Sequence, residues 1–180
     1  MIASEVLYDW QIEFIESFCP KGIKIIAHYG QAEKVALGAW SQDKKYQVFV
    51  SSTYTDLLEE RQEIMHALLE LDCIPAGMEL FPAADEDAWS LITEVIDGCD
   101  YYVLILAGKY GSTNSDGIGY TEMEFDYAVE TGKPIICFLH QDIEELKANK
   151  IETSEVPRMR LVKFRGKAQG KHCKYWSSPH

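Results

Sequence analysis

The chain has 180 residues, of which 47% are hydrophobic and 26% charged, with a formal net charge of -12. This is the composition of a globular protein with one substantial core, and it excludes disordered and fibrous classes. The five cysteines (Cys19, Cys73, Cys99, Cys137, Cys173) form no CxxC pair, and the longest apolar run, Tyr101 to Ala107, is far too short to span a bilayer. Reduced thiols, a cytoplasmic location, no metal site and no membrane contact are therefore expected.

Residues 1–45 read as an N-terminal α/β extension. Val6, Trp10, Phe14, Ile15 and Phe18 recur at helical spacing, so a helix is predicted over 4–19, ended by Pro20 and Gly22, with a strand over 23–29. Gln31 to Trp40 fits either helix or strand, and 41–45 reads as a polar linker.

A regular pattern starts at Tyr46. Val48, Phe49 and Val50 form a buried strand, Ser51 to Thr55 break it, and Thr55 or Asp56 is placed to cap the next helix. Leu57, Leu58, Ile64, Met65, Leu68 and Leu69 give that helix an apolar stripe through Leu71. A short strand is predicted over 72–78, with Pro75 indicating a sheet edge, then a loop over 79–85 and a helix over 89–96. Tyr101 to Ala107 is the most continuous apolar run and belongs in the middle of a parallel sheet covered on both faces. After the long Gly- and Ser-rich loop 108–119 come a helix over 120–131 closed by Gly132 and a strand over 134–139. Helical segments over 143–149 and from Val156 or Pro157 to about Lys167, and a last strand over 173–176, complete the pattern.

This βα alternation predicts a three-layer, flavodoxin-like sandwich with a mostly parallel sheet over residues 46–180. A final strand with nothing after it to cover it suggests that the domain continues beyond His180. Pro157 to His180 carries seven basic residues and no acid, whereas residues 1–156 hold ten basic and all 29 acidic ones. Nucleic-acid binding is not expected from such a body, and a solvated helix face or a contact with the acidic body is the preferred reading of the basic tail.

In open α/β sheets the ligand crevice lies at the carboxyl ends of the strands, which places Ser51, Ser52 and Thr53 where a phosphate or ribose could be held. Glu79 falls on the same crevice side, where it either binds ribose hydroxyls or is simply solvated. Arg61 could clamp a phosphate or pair with a strand-end acid. Tyr110, Gly111 and Ser112 either lid the pocket and stack on a base or form a turn. Glu122 and Glu124 stand in the first turn of a helix directly after the long loop. At about 100° per residue their side chains diverge by roughly 200°, so they cannot both serve one substrate atom. Acids there also stabilise the helix through its dipole, which is the non-functional alternative. Phe125, Ala128 and Val129 are expected to face the core. No P-loop, GxGxxG, GxSxG, HExxH or EF-hand motif occurs.

The ordered motifs Val48-Phe-Val-Ser-Ser-Thr-Tyr-Thr-Asp-Leu-Leu-Glu-Glu-Arg61, Gly77-Met-Glu-Leu-Phe-Pro-Ala83, Cys99-Asp100, Gly108-Lys-Tyr-Gly-Ser112 and Tyr120-Thr-Glu-Met-Glu-Phe-Asp-Tyr-Ala128, followed by Gly132-Lys-Pro134, resemble the family called domain of unknown function 4062. The resemblance covers 46–140 and runs more loosely to Trp176; it implies a place at the N-terminus of larger proteins, beside ATPase and repeat modules of the innate-immunity type. A wider resemblance is to nucleoside 2-deoxyribosyltransferases and, through them, to Toll/interleukin-1 receptor (TIR) domains. Thr121, Glu124, Tyr127-Ala128 and Gly132-Lys133-Pro134 match the transferase active-site spacing, which implies that Glu124 rather than Glu122 holds the nucleophile's place. Asp126 stands where that pattern has Gly, and the loop Ser51-Ser52-Thr53 also departs from it.

The resemblance implies a nucleotide- or nucleoside-binding, TIR-like domain that cleaves an N-glycosidic bond. NAD or a nucleoside would be its substrate, with no cofactor required. The alternative is a non-catalytic signalling module that self-associates and passes activation to domains C-terminal to this chain.

Overall fold

The computed structural model describes residues 45–77 and 87–177, with no account of the Asp87 and Ala88 side chains. The described residues fall in one compact unit spanning Lys45–Pro179. The readings of residues 1–44, of the loop carrying Glu79 and of the chain end lie outside the described residues.

Five strands, β1 (Gln47–Ser52), β2 (Ile74–Ala76), β3 (Tyr101–Leu106), β4 (Ile135–His140) and β5 (His172–Trp176), form one all-parallel sheet in the order β2-β1-β3-β4-β5. Helices α1 (Leu58–Glu70), α2 (Asp87–Gly98), α3 (Tyr120–Glu130) and α4 (Glu155–Gln169) connect them. This is the flavodoxin-like order, in which the chain reverses its direction of travel across the sheet between β1 and β3.

The apolar run at Tyr101 takes the central position, paired on one side with β1 and on the other with β4. All of β4, and all of β3 beyond Tyr101, is buried. Side chains alternate across a strand, so burial of both sets means that both faces of the sheet are covered. On one face Phe49, Tyr102, Leu104, Cys137 and Leu139 join Ile92 and Ile96 of α2, Phe125 and Ala128 of α3, and Leu161, Phe164 and Ala168 of α4 in a single core. An aromatic file runs through it: Phe49 stacks on Tyr102 at 5.6 Å, Tyr102 meets Phe125 edge-on at 6.4 Å, and Phe125 meets Phe164 at 5.5 Å. Buried Leu57 and, in α1, Ala67 and Leu68 supply apolar surface beside β1 and β2. Pro75 lies in β2, at the sheet edge, where its missing N–H costs least.

Several local readings need correction. The helix cap is Leu57, with no side-chain cap hydrogen bond; Thr55 and Asp56 lie in the preceding turn. Burial of the Leu57 side chain decides this position, overriding cap preference. Leu58 and Leu69, expected in the apolar stripe, are 41% and 59% exposed, while Glu60 and Arg61 are buried in their stead. Val129 is likewise exposed, because α3 presents Phe125 and Ala128 to the core. The helix expected over 143–149 is two 3-10 turns, Ile143–Glu145 and Ala148–Lys150, too short for the reward of helix propagation.

Candidate functional site

β1 ends in hydroxyl side chains, and each is engaged differently. Ser51, 1% exposed, donates from Oγ to Glu124 Oε2. Ser52 Oγ accepts from Arg61 Nη1 at 3.1 Å, so the guanidinium is held by a strand-end hydroxyl. Thr53 is buried against Gly111: a Cβ on Gly111 would stand 2.7 Å from Thr53 Cγ2, and the glycine has φ of +86°. That contact joins the turn after β1 to the loop after β3, across the switch point of the sheet.

The two carboxylates of α3 do go separate ways. Glu124 is 1% exposed and reaches Ser51, whereas Glu122 accepts from the Tyr110 hydroxyl and pairs with Lys167 Nζ at 2.7 Å. Lys167 also reaches Asp126 at 2.7 Å. Partial burial lowers the affinity of Lys167 for its proton, but the hydrogen bonds to Asp126 and Glu122 outweigh it, and its pKa is raised. Thus one residue of the basic tail contacts the acidic body, as the charge distribution suggested. Tyr102 is wholly buried, and its phenol is pushed well above the ordinary value by burial first and then by the Glu124 charge.

The long loop is tightly fastened. Its Tyr110 hydroxyl also accepts from the Gly119 N–H at 3.0 Å, and the Tyr110 N–H donates to Glu152 Oε1 at 2.9 Å. Asn114 Oδ1 accepts from the backbone of Asp116 and Ile118, and Gly108 pairs with Ile151. Tyr110 is 2% exposed and belongs to the core, so its ring is covered in this conformation. Ser112 is exposed, and Thr121 is buried in the first turn of α3. Ser51 with Glu124, Ser52 with Arg61, Thr53 with Gly111 and Tyr110 with Glu122 thus gather at the carboxyl ends of β1 and β3.

Gly132-Lys133-Pro134 sits at the opposite end of α3. Gly132 takes the left-handed conformation at φ of +71°, and Lys133 Nζ donates to the carbonyls of Asp97 and Cys99, both at 2.7 Å, closing the end of α2. Its contacts are those of a structural clasp.

Sequence reasoning passed over three groups at the edge. Lys150 pairs with buried Glu60 at 3.0 Å, and Lys167 with Glu122; neither partnership has a local signature in the sequence. Asp56 reads in the sequence only as a candidate helix cap. It is 5% exposed, and neither of its carboxylate oxygens has a hydrogen-bond partner among the described residues. Among those residues no group of three His, Cys, Asp or Glu side chains is arranged to hold a metal ion, and no helix is long and apolar enough to cross a membrane.

Fold and edge together define a flavodoxin-like α/β domain whose polar residues gather at the carboxyl side of the β1/β3 switch point. Residues 47–180 match the family described as Domain of unknown function (DUF4062), and the chain belongs to that family. No curated protein matches the chain. Among solved structures it is similar to the Clostridium botulinum CMP N-glycosidase BcmB, at 15% identity and a TM-score of 0.43, over 74% of this chain and 91% of that one.

Proposed function

We propose that this domain binds a nucleotide or nucleoside at the β1/β3 edge and cleaves its N-glycosidic bond, with Glu124 as the carboxylate facing C1′. The observation that carries this reading is the buried Ser51–Glu124 hydrogen bond at the switch point. Withdrawing a carboxyl group from water is unfavourable for stability, and its placement where such sheets hold ligands favours a chemical role. In the reaction the bond from C1′ to the base nitrogen breaks while Glu124 stabilises or captures the oxocarbenium-like centre. Water then supplies a hydroxyl to C1′ and a proton to the departing base. Ser51 orients Glu124; Ser52, Thr53 and Glu79 serve the sugar, and Arg61 holds Ser52 in place. The engagement of Glu122 with Tyr110 and Lys167 favours Glu124 over it. Because Glu124 is 1% exposed, reaction entails an opening of the edge. NAD is one substrate of the right chemistry, and a larger cytoplasmic signalling or defence protein is the proposed setting.

The reading is tested by titrating the protein with NAD and nucleosides while following backbone amide resonances. Saturable shifts at 51–53 and 107–112 are expected; saturable binding that leaves these amides unmoved would overturn the assignment of the site.

A second reading, a non-catalytic module that assembles through its surface, is favoured by one observation. Val156, Met159 and Val162 of α4 are 57%, 55% and 64% exposed, an apolar row on a basic helix. Self-association lost in Met159→Glu, without release of base by either protein, would support it.

A further inference from the structure

Asp56 is the least explained polar side chain at this edge. It lies in the turn between β1 and α1, is 5% exposed, and has two carboxylate oxygens without a hydrogen-bond partner among the described residues. Thr53, three residues earlier, is 7% exposed, and its hydroxyl likewise has none. Buried polar groups are almost always paired, and an uncompensated carboxylate is among the most unfavourable groups to bury. Such atoms therefore call for a donor from outside the chain.

The surroundings narrow the chemistry of that donor. Arg61, held on Ser52, and Lys150, held on Glu60, bring two positive charges to the start of the helix that follows Asp56, which disfavours a cationic ligand there. A divalent cation would need more oxygen ligands than one carboxylate and one hydroxyl, and no set of three acids, cysteines or histidines converges among the described residues. A neutral group offering two adjacent donors fits both oxygens of a carboxylate. A vicinal diol is such a group.

We infer that Asp56, assisted by Thr53, holds the 2′,3′-diol of a ribose, so that this edge selects ribosyl over 2′-deoxyribosyl ligands. The inference rests on the nucleotide reading above and deepens it. With Glu124 addressed to C1′, the sugar lies against the segment that carries Ser51, and Asp56 follows Ser51 by five residues in that segment. Asp56 is thereby addressed to the neighbouring hydroxyls of the same ring.

The test is a set of dissociation constants for the full chain, measured by calorimetry with the four common ribonucleosides and their 5′-monophosphates, each beside its 2′-deoxy counterpart. At least one ribosyl ligand should bind roughly 10- to 100-fold more tightly than its deoxy counterpart, the range for one hydrogen bond to a charged group. In Asp56→Asn that ratio should fall to within about threefold, and Thr53→Val should lower it in part. Thermal melting without ligand supplies a second readout. Asp56→Asn should melt at the same temperature as the parent or higher, since it removes a buried carboxylate that no hydrogen bond holds, whereas a merely structural Asp56 would make the variant melt lower. Equal binding of ribosyl and deoxyribosyl ligands by the parent, or a ratio preserved in Asp56→Asn, would overturn the diol site and leave the N-glycosidase reading standing. Failure of every one of these ligands, and of NAD measured in the same way, to bind would remove both.

Discussion

Ser51, next to last in β1, hydrogen-bonds Glu124, the fifth residue of α3, across 73 positions of sequence. Both are about 1% exposed, so the pair sits away from water. Ser51→Ala leaves a buried carboxyl group short of a donor and should lower stability by about 1–3 kcal/mol in urea denaturation. Glu124→Gln keeps the shape and an acceptor for Ser51, so it should lower stability less, or raise it. A loss in Glu124→Gln as large as that in Ser51→Ala would show that the carboxylate is there for the fold.

The Tyr110 hydroxyl donates to Glu122 and accepts from Gly119, tying the long loop to α3. Tyr110→Phe strands a carboxylate oxygen and a backbone N–H together, and about 2 kcal/mol of stability should go with them. Lys167→Met removes a pair whose lysine is 45% exposed, so its effect should be below about 1 kcal/mol and shrink with added salt. Hydrogen exchange at residues 110–119 should quicken in the first variant and barely change in the second.

Gly111 combines a left-handed backbone with a steric limit, its φ of +86° and the Thr53 methyl 2.7 Å from any Cβ. Gly111→Ala should destabilise by about 1–2 kcal/mol from the backbone alone, with more from the collision. Combining it with Thr53→Ser, which removes that methyl, should recover the steric part and leave the backbone part. Strict additivity of the two substitutions would show that the residues do not touch in solution.

Alkaline pH should weaken the fold. Burial pushes the Cys99 thiol from 9.0 up to about 11, against the Lys133 charge, and pushes Cys137, Cys173 and Tyr102 upward as well. Groups whose folded pKa is raised keep protons that the unfolded chain has released. Their stabilisation is fully present below the unfolded value and is lost as pH rises through the folded one. Melting temperature should therefore fall from about pH 9 upward, and Cys99→Ala should flatten the fall between 9 and 11. An unchanged slope in that variant would assign the effect to other groups.

The places of two strands were readable because they rest on local signals: an unbroken apolar run made β3 central, and Pro75 set β2 at the edge. The divergence of Glu122 from Glu124 was readable from helix geometry. The partners were not, since Ser51 with Glu124, Lys150 with Glu60 and Lys167 with Glu122 are joined only by tertiary packing. For the same reason nothing in the sequence showed that Glu60 and Arg61 are buried, or that Arg61 lies on Ser52. Thr55 and Asp56 carry good capping chemistry, yet burial of Leu57 decided where α1 begins.

Release of free base is the most direct test of Glu124's role. The protein, Glu124→Gln and Glu122→Gln are each incubated at high concentration with NAD, nucleosides and deoxynucleosides, and the products separated by chromatography. Base released by the parent and by Glu122→Gln, but not by Glu124→Gln, is the expected result. No base from the parent, or equal release from Glu124→Gln, would contradict the assignment of Glu124 as the reacting carboxylate.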